Sequence, residues 1–254
     1  MVERKSQSST PELVKPGKRS GWEEHEADFF ISHPHKCEYL TGVEAMTIFT
    51  SSVKGMDTDS YEGLLENGFR RSGKVIYRPH CPTCNSCISV RVPVAAFRMS
   101  RNMKKIWNRN NDLVVNSLSP TYSHEHFELY QSYVRNRHRG GSMDCYDPDA
   151  YMSFLASSSV DTRFYEFRRE EKLLMVAVVD HLKQGLSSVY TFFDTCQNTR
   201  SLGTFGILWE IDQALRLRKQ WLYLGYWIPN CRKMQYKSRF RPLEAFQKER
   251  WELL

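Results

Sequence analysis

The sequence predicts an α/β (α+β) chain: a C-terminal mixed sheet with helices, preceded by a smaller lobe carrying cysteines and cations. Three observations predict it. First, Thr162 to Arg168, Leu173 to Asp180 and Ser187 to Phe193 are β-rich runs joined by short Gly or charged turns, the pattern of an antiparallel meander. Second, Gly203 to Leu217 reads as a helix with Phe205, Leu208, Trp209, Ile211 and Leu215 along it, and Leu222 to Ile228 as a further strand reached by crossover. Three strands, a helix, then a strand is the order of the acyl-transferase (GNAT-like) fold, built on an open mixed sheet. Third, Gly68 to Arg91 (GFRRSGKVIYRPHCPTCNSCISVR) is basic, carries three cysteines, and is punctuated as turn and strand by Ser72-Gly73 and Pro79.

A chain of 254 residues holds one large domain or two small ones, and 41% hydrophobic with 26% charged residues is a globular composition. No apolar run reaches membrane-spanning length and the polar start has no apolar signal core, so the expected compartment is the cytoplasm. Seven cysteines, an odd number, argue against a disulfide framework. The expected organisation is a mobile tail over 1–25, a basic, cysteine-containing lobe over 26–116 and an acyl-transferase-like lobe over 117–254, divided at Ser117-Leu118-Ser119-Pro120.

In chain order, His33-Pro34-His35-Lys36-Cys37 opens the folded part. Tyr61 to Asn67 is a short helical turn ended by Gly68. Lys74 to Tyr77 and Ile88 to Val94 read as strands, the second placing Val90, Val92 and Val94 on one face and Arg91 on the other. Arg101 to Asn111 is a basic helix or turn, followed by a short strand at Val114 and Val115. His124 to His138 is a helix with an apolar stripe of Phe127, Tyr130, Tyr133 and Val134, broken by Arg139-Gly140-Gly141. Another helix starts at Pro148, with Asp147 as its cap. After the last strand, Arg232 to Lys237 forms a basic helical turn.

Between Glu66 and Asp112 there is no acidic residue, while ten Lys or Arg occur. Against a formal net charge of only +7 this is a local field. Interleaved with Phe69, Tyr77, Phe97 and Trp107, it is what a polyanion such as RNA requires: cations for phosphates and rings for bases. Arg70, Arg98, Arg101, Lys104, Lys105 and Arg109 are its candidate RNA contacts.

Cys81, Cys84 and Cys87 follow a Cys-x2-Cys-x2-Cys spacing in which adjacent thiolates reach one ion from a tight turn. Cys37 is the nearest fourth ligand in sequence, and His35 and His80 could substitute. Zinc and an iron–sulfur cluster are both allowed by four thiolates, and plain reduced cysteines remain the alternative. Arg200-Ser201-Leu202-Gly203-Thr204 lies between strand and helix, where Ser201 or Thr204 can cap the helix and free N–H groups can bind an anion. Gly225-Tyr226-Trp227-Ile228-Pro229, with Arg232, Lys233, Tyr236 and Lys237, closes a strand end with rings and cations. No Ser-His-Asp or Cys-His arrangement stands out, and His124, His126, His138 and His181 read as helix-surface or loop residues.

Taken in order, Cys37-x-Tyr39-Leu40, Gly68-Phe69-Arg70-Arg71-Ser72-Gly73, Tyr77-Arg78-Pro79-His80-Cys81, Cys84-x2-Cys87, Arg91-Val92-Pro93-Val94, Val189-Tyr190-Thr191-Phe192-Phe193-Asp194, Arg200-Ser201-Leu202-Gly203-Thr204, Leu224-Gly225-Tyr226-Trp227-Ile228, Lys233-Met234-x-Tyr236-Lys237 and Phe240-Arg241-Pro242-Leu243 cover nearly the whole folded chain. Through them the chain resembles the aminoacyl-tRNA–protein transferases of the arginyltransferase type, most closely their bacterial aspartate/glutamate leucyltransferase branch. It departs from that pattern at Val43, at Met46 and at Asn102-Met103-Lys104-Lys105, on the expected RNA side.

The resemblance implies transfer of an aminoacyl group from aminoacyl-tRNA to the N-terminal Asp or Glu of proteins, tagging them for degradation by the N-end rule. Leucine is the implied donor and arginine the alternative. It also implies a cluster at Cys37, Cys84 and Cys87, with Cys81 added, and no cofactor for catalysis, because the tRNA ester is already activated. Orientation supplies much of such a barrier. A proton acceptor supplies part of the rest; Asp194 is the first candidate, with Tyr226 and Glu166 behind it. An acidic acceptor needs a cation in the cleft, for which Arg71, Arg78, Arg200, Lys233 and Lys237 are candidates. Two competing readings rest on the residues alone: a non-catalytic, metal-stabilised RNA-binding protein, and a coenzyme-A-dependent N-acetyltransferase.

Overall fold

A computed structural model describes residues 12–14, 28–50, 56–137, 147–156 and 160–254. Most of the expected tail, His138 and the Arg139-Gly140-Gly141 break lie outside the described residues.

The chain opens with β1 (Glu12–Val14), β2 (Phe29–Ile31), a two-residue pair β3 (His35–Lys36) and β4 (Glu44–Ala45), and β5 (Thr47–Thr50). Helix α1 (Thr58–Glu66) follows, started by Asp57, whose carboxylate accepts from the Ser60 N–H at 2.8 Å. Then come β6 (Arg70–Ser72) and β7 (Val75–Pro79). Five of these strands form an antiparallel sheet in the order β1-β2-β5-β7-β6. Its apolar side buries Phe29, Ile48, Phe69 and Ile76 with Tyr61 and Leu65 of α1.

The second sheet takes its first strand, β8 (Ile88–Pro93), from the region expected to belong to the small lobe. Helix α2 (Arg101–Arg109) and β9 (Val114–Leu118) come next, then α3 (His124–Arg137), α4 (Pro148–Leu155), β10 (Asp161–Arg169), β11 (Lys172–His181) and β12 (Gly185–Phe193). Helix α5 (Leu202–Arg216) leads to β13 (Trp221–Trp227), and a 3₁₀ turn at Gln235–Arg239 to a closing hairpin of β14 (Glu244–Gln247) and β15 (Arg250–Leu253). The eight-stranded order is β15-β14-β8-β13-β12-β11-β10-β9, and only β12 and β13 run parallel.

This is the expected acyl-transferase sheet, enlarged. Residue 117, where the division was expected, falls inside β9; β8 and β9 are strands of the large sheet, and α2 packs on its core. The reason lies in β8: Val90, Val92 and Val94 pack into the same core as Leu208 and Ile211 of α5. Along β11, Met175, Ala177 and Val179 face α2 and α5, while Val176 and Val178 face α3 and α4. Both faces are covered, so this strand reads as an unbroken apolar run.

Candidate active site

Strands β12 and β13 pair over only three residues each, Gly185 with Trp221, Leu186 with Leu222 and Ser187 with Tyr223. Just beyond, each strand bulges. Val189 has no partner in the β11 register, which steps from Val178–Tyr190 to Val179–Ser188. Leu224 is likewise skipped between the Tyr223–Arg91 and Gly225–Val90 pairs of the β8 register. Bulges bend strands and re-aim their groups, so the sheet opens between the two.

Two cations meet the carbonyls of the bulges. Arg70, on β6, donates from Nη2 to the Val189 oxygen at 2.6 Å. Lys237, in the 3₁₀ turn, donates from Nζ to Leu224 at 2.7 Å and Tyr226 at 2.6 Å. Gly225 has φ +71°, and a Cβ there would lie 2.1 Å from Nη1 of Arg70. Its hydrogen side chain is what leaves room for the guanidinium. Among the described residues, neither Arg70 nor Lys237 has a carboxylate partner. Burial first, and Arg70 second, push the Lys237 ammonium well below its ordinary value.

Glu210 of α5 stands across from Ser188, whose hydroxyl donates to Oε1 at 3.2 Å. The residue is fully buried, and its Oε2 has no partner among the described residues. Burial pushes its carboxyl up to about 8, with Ser188 opposing. Tyr236 is 39% exposed as a residue; burial of its phenol raises it to about 12, Arg70 lowers it, and Tyr133 and Glu210 raise it. The Tyr190 hydroxyl is also buried without a partner among the described residues, and burial raises it too. Cations without carboxylate partners thus meet the bulge carbonyls where the sheet opens, and Glu210 is bonded to Ser188, one residue before the Val189 bulge.

Most of the sequence-predicted site residues lie elsewhere. Asp194 ends β12, salt-bridged to Lys172 at 2.9 Å and accepting from the Cys196 N–H at 2.9 Å. Burial would raise its carboxyl, but Lys172 and the N–H hold it below the ordinary range, which suits a turn residue better than a base. Glu166, on β10, lies 2.6 Å from His126 Nε2 and 2.8 Å from Arg168 Nε. Arg168 lowers its carboxyl, burial opposes and His126 adds. His126 is thus buried in an ion network, not on a helix surface. The Tyr226 hydroxyl lies 3.0 Å from the Gly68 and Tyr77 carbonyls and can only donate to them; burial, then Tyr77, raises it well above 10. None of the three is placed as a proton acceptor.

Of the expected acceptor-binding cations, only Lys237 faces the opening. Arg71 is 3% exposed and donates to both oxygens of Asp180, at 2.8 and 2.7 Å. Arg200 is taken by Asp112 at 2.8 and 2.7 Å. Arg78 donates to the Asn67 carbonyl and lies over the Phe69 ring, and Lys233 is exposed. Ser201 precedes α5 in a left-handed conformation, φ 54°, and its side chain makes no cap bond. Its carbonyl accepts from Thr204 and Phe205, which leaves the Leu202 and Gly203 N–H groups outside the helix ladder. A Cβ at Gly203 would lie 3.1 Å from the Phe193 ring.

The basic run divides in two. Arg101, Lys104, Lys105 and Arg109 stand exposed on α2, whose buried face is Met103 and Ile106. Arg98 is exposed beside them and donates to the Ala95 and Phe97 carbonyls. Arg109 also donates to the Thr199 carbonyl, which ties this face to the start of α5. Arg70 is not on it. The interleaved rings are not a base platform either: Phe69 and Phe97 are buried, and Trp107 and Tyr77 pack on Phe205 and Tyr226.

The four cysteines are partly buried and free. Cys87 is pushed up to about 12 by burial and then by Cys37, Cys81, Cys84 and Cys231, so the thiols are near neighbours. Ser86 lowers Cys84, and Cys81 donates to the Met46 carbonyl. Among the described residues, however, no three His, Cys, Asp or Glu side chains are arranged to hold a metal ion. No helix among the described residues is long and apolar enough to cross a membrane.

The profile described as "Arginine-tRNA-protein transferase, N terminus" matches residues 35–105, and its C-terminal counterpart residues 125–247. An aspartate/glutamate leucyltransferase of Pseudomonas fluorescens (strain Pf-5) is 46% identical over 226 residues, 89% of this chain and 96% of that one. That of strain SBW25 is 47% identical over 223 residues, 88% and 95% of the two chains. Among solved structures, the crystal structure of FemX matches with a TM-score of 0.51 at 8% identity, over 83% of this chain and 72% of that one, a likeness that speaks for the acyl-transferase fold alone. The relatives thus span both lobes and the open sheet between them, and the chain belongs to the arginine-tRNA-protein transferase family as an aminoacyltransferase.

Proposed function

We propose that this protein transfers leucine from Leu-tRNA to the α-amine of proteins whose first residue is Asp or Glu. The donor and acceptor follow the name of the relatives, aspartate/glutamate leucyltransferase. The observation that carries the reading is the opening between β12 and β13 in an acyl-transferase sheet, with Arg70 and Lys237 on the bulge carbonyls and the half-paired Glu210 carboxyl on Ser188 of β12. A metal-stabilised RNA-binding protein has no use for such a set.

In this reading the neutral amine attacks the ester carbonyl carbon of Leu-tRNA. The new C–N bond forms, the bond to the ribose oxygen breaks, and the proton lost by the amine passes through Glu210 to that oxygen. A carboxyl near 8 suits this exchange because α-amino groups titrate at about 7.7–8.0. The ester is already activated, so the reaction needs no cofactor. The tRNA body lies on the α2 face. The donor, a charged tRNA, places the reaction in the cytoplasm, and the new N-terminal leucine tags the product for degradation by the N-end rule.

The test is incubation of the protein with a peptide beginning with Asp and, separately, labelled Leu-tRNA, labelled Arg-tRNA or labelled acetyl-CoA. Label is expected in the peptide from Leu-tRNA. Transfer from Arg-tRNA instead establishes the arginine alternative, and acetylation establishes the N-acetyltransferase reading.

A further inference from the structure

We infer that Arg70, backed by Lys237, holds the side-chain carboxylate of the acceptor's first residue, and so sets the preference for Asp and Glu over Asn and Gln. The inference rests on the leucyl-transfer reading of the same site.

Three observations carry it. Arg70 spends one N–H on the Val189 carbonyl, and its Nε and Nη1 meet no other acceptor among the described residues. Lys237 is 5% exposed and holds only the carbonyls of Leu224 and Tyr226. A partly buried guanidinium with free donors is met better by a carboxylate than by a neutral amide. The third is Gly225, which gives its side-chain space to the Arg70 guanidinium.

Tyr190, Tyr226 and Tyr236 all feel the Arg70 charge. A guanidinium meets a small planar carboxylate through two parallel N–H bonds. The polyanion surface is the separate exposed face of α2, where cations are solvated and open to a backbone of phosphates. Arg70 and Arg71 divide between the two sides of β6: Arg71 is satisfied by Asp180, and Arg70 alone is left to meet a ligand.

The experiment compares peptides identical except for a first residue of Asp, Asn, Glu or Gln, with Leu-tRNA as donor, on wild-type protein and on Arg70→Gln and Arg70→Lys. Wild type should favour Asp over Asn, and Glu over Gln, by about 100-fold or more in kcat/KM. Arg70→Gln should lose most of that ratio, chiefly through KM for the acidic peptides, while its affinity for Leu-tRNA changes less than about three-fold. Arg70→Lys, which keeps the charge and loses the planar fork, should keep part of the ratio and carries the test if the Gln variant does not fold. An unchanged Asp-to-Asn ratio in a folded variant overturns the inference. So does an equal loss on all peptides together with weaker Leu-tRNA binding, which would give Arg70 to the tRNA. Wild-type protein that transfers leucine to none of the peptides contradicts the leucyl-transfer reading itself, before any variant is compared.

Discussion

Arg70 and Arg71 are neighbours on one short strand and have opposite fates. Arg71 turns into the protein, where Asp180 takes two of its N–H groups, Tyr61 and Thr162 complete the carboxylate, and the Gly73 and Leu155 carbonyls take two more. Arg70 turns to the opening in the large sheet and finds one carbonyl. A cation with most of its donors used, and a carboxylate among its partners, holds two lobes together. A half-buried cation with donors to spare has room for a ligand. A third kind stands on α2, where Lys104 and Lys105 are exposed and make neither sort of contact. Burial and partnering, rather than residue type, separate the three roles.

The comparison breaks most visibly at Asp180. Asp180→Ala leaves a buried guanidinium uncompensated and should cost about 3–5 kcal/mol in urea unfolding. The double variant Arg71→Met, Asp180→Leu removes both charges and should recover a large part of that loss. If the double variant is no better than the single one, Arg71 does more than pair.

Glu210 sharpens the contrast from the acid side. Its folded carboxyl, about 8, lies above its ordinary 4.5, so between those values the folded state holds a proton that the unfolded chain has lost. Its contribution is therefore fully present below about 4.5 and is lost as pH rises towards about 8. Glu210→Gln has no such proton and should gain on wild type through that window, reaching an advantage on the order of a few kcal/mol above pH 8. Stability curves for the two proteins that stay parallel from pH 5 to 9 would show that this carboxyl is not raised.

The exposed cations should give the smallest effect. Lys104→Glu with Lys105→Glu should leave unfolding unchanged within about 0.5 kcal/mol. It should weaken tRNA binding roughly ten-fold and flatten the dependence of affinity on salt by about one to two phosphate contacts. An unchanged salt slope would remove α2 from the tRNA footprint.

Much of the fold was legible in sequence because its strands carry long apolar or alternating runs. The meander, α5 and β13 follow directly from Thr162 to Ile228. The short strands did not show: Arg70-Arg71-Ser72 has no apolar residue to mark it, and Glu244–Gln247 and Arg250–Leu253 are a polar edge hairpin. That the large sheet reaches back past residue 117 was not legible, because β8 looks like any strand until its partners, β13 and β14, are known from much later in the chain.

The site was legible as motifs but not as roles. Glu210, the acid proposed to carry the proton, lies within the apolar run of α5, and the one signal for it is an acid in a stripe otherwise made of Leu, Ile and Phe. Asp194, Tyr226 and Glu166 were chosen for lying at strand ends or in motifs, and sequence could not show that Lys172, two carbonyls and His126 already occupy them.

The central claim is that transfer takes place where β12 and β13 part, with Glu210 taking the proton. Single-turnover transfer of leucine from Leu-tRNA to an Asp peptide, at saturating peptide, measures it directly in wild type and Glu210→Gln. At pH 9 the peptide amine is already neutral in both, so only the enzyme's acceptor differs. The account predicts a fall of about 10²–10⁴-fold in rate with unchanged Leu-tRNA affinity. A rate within two-fold of wild type would contradict it.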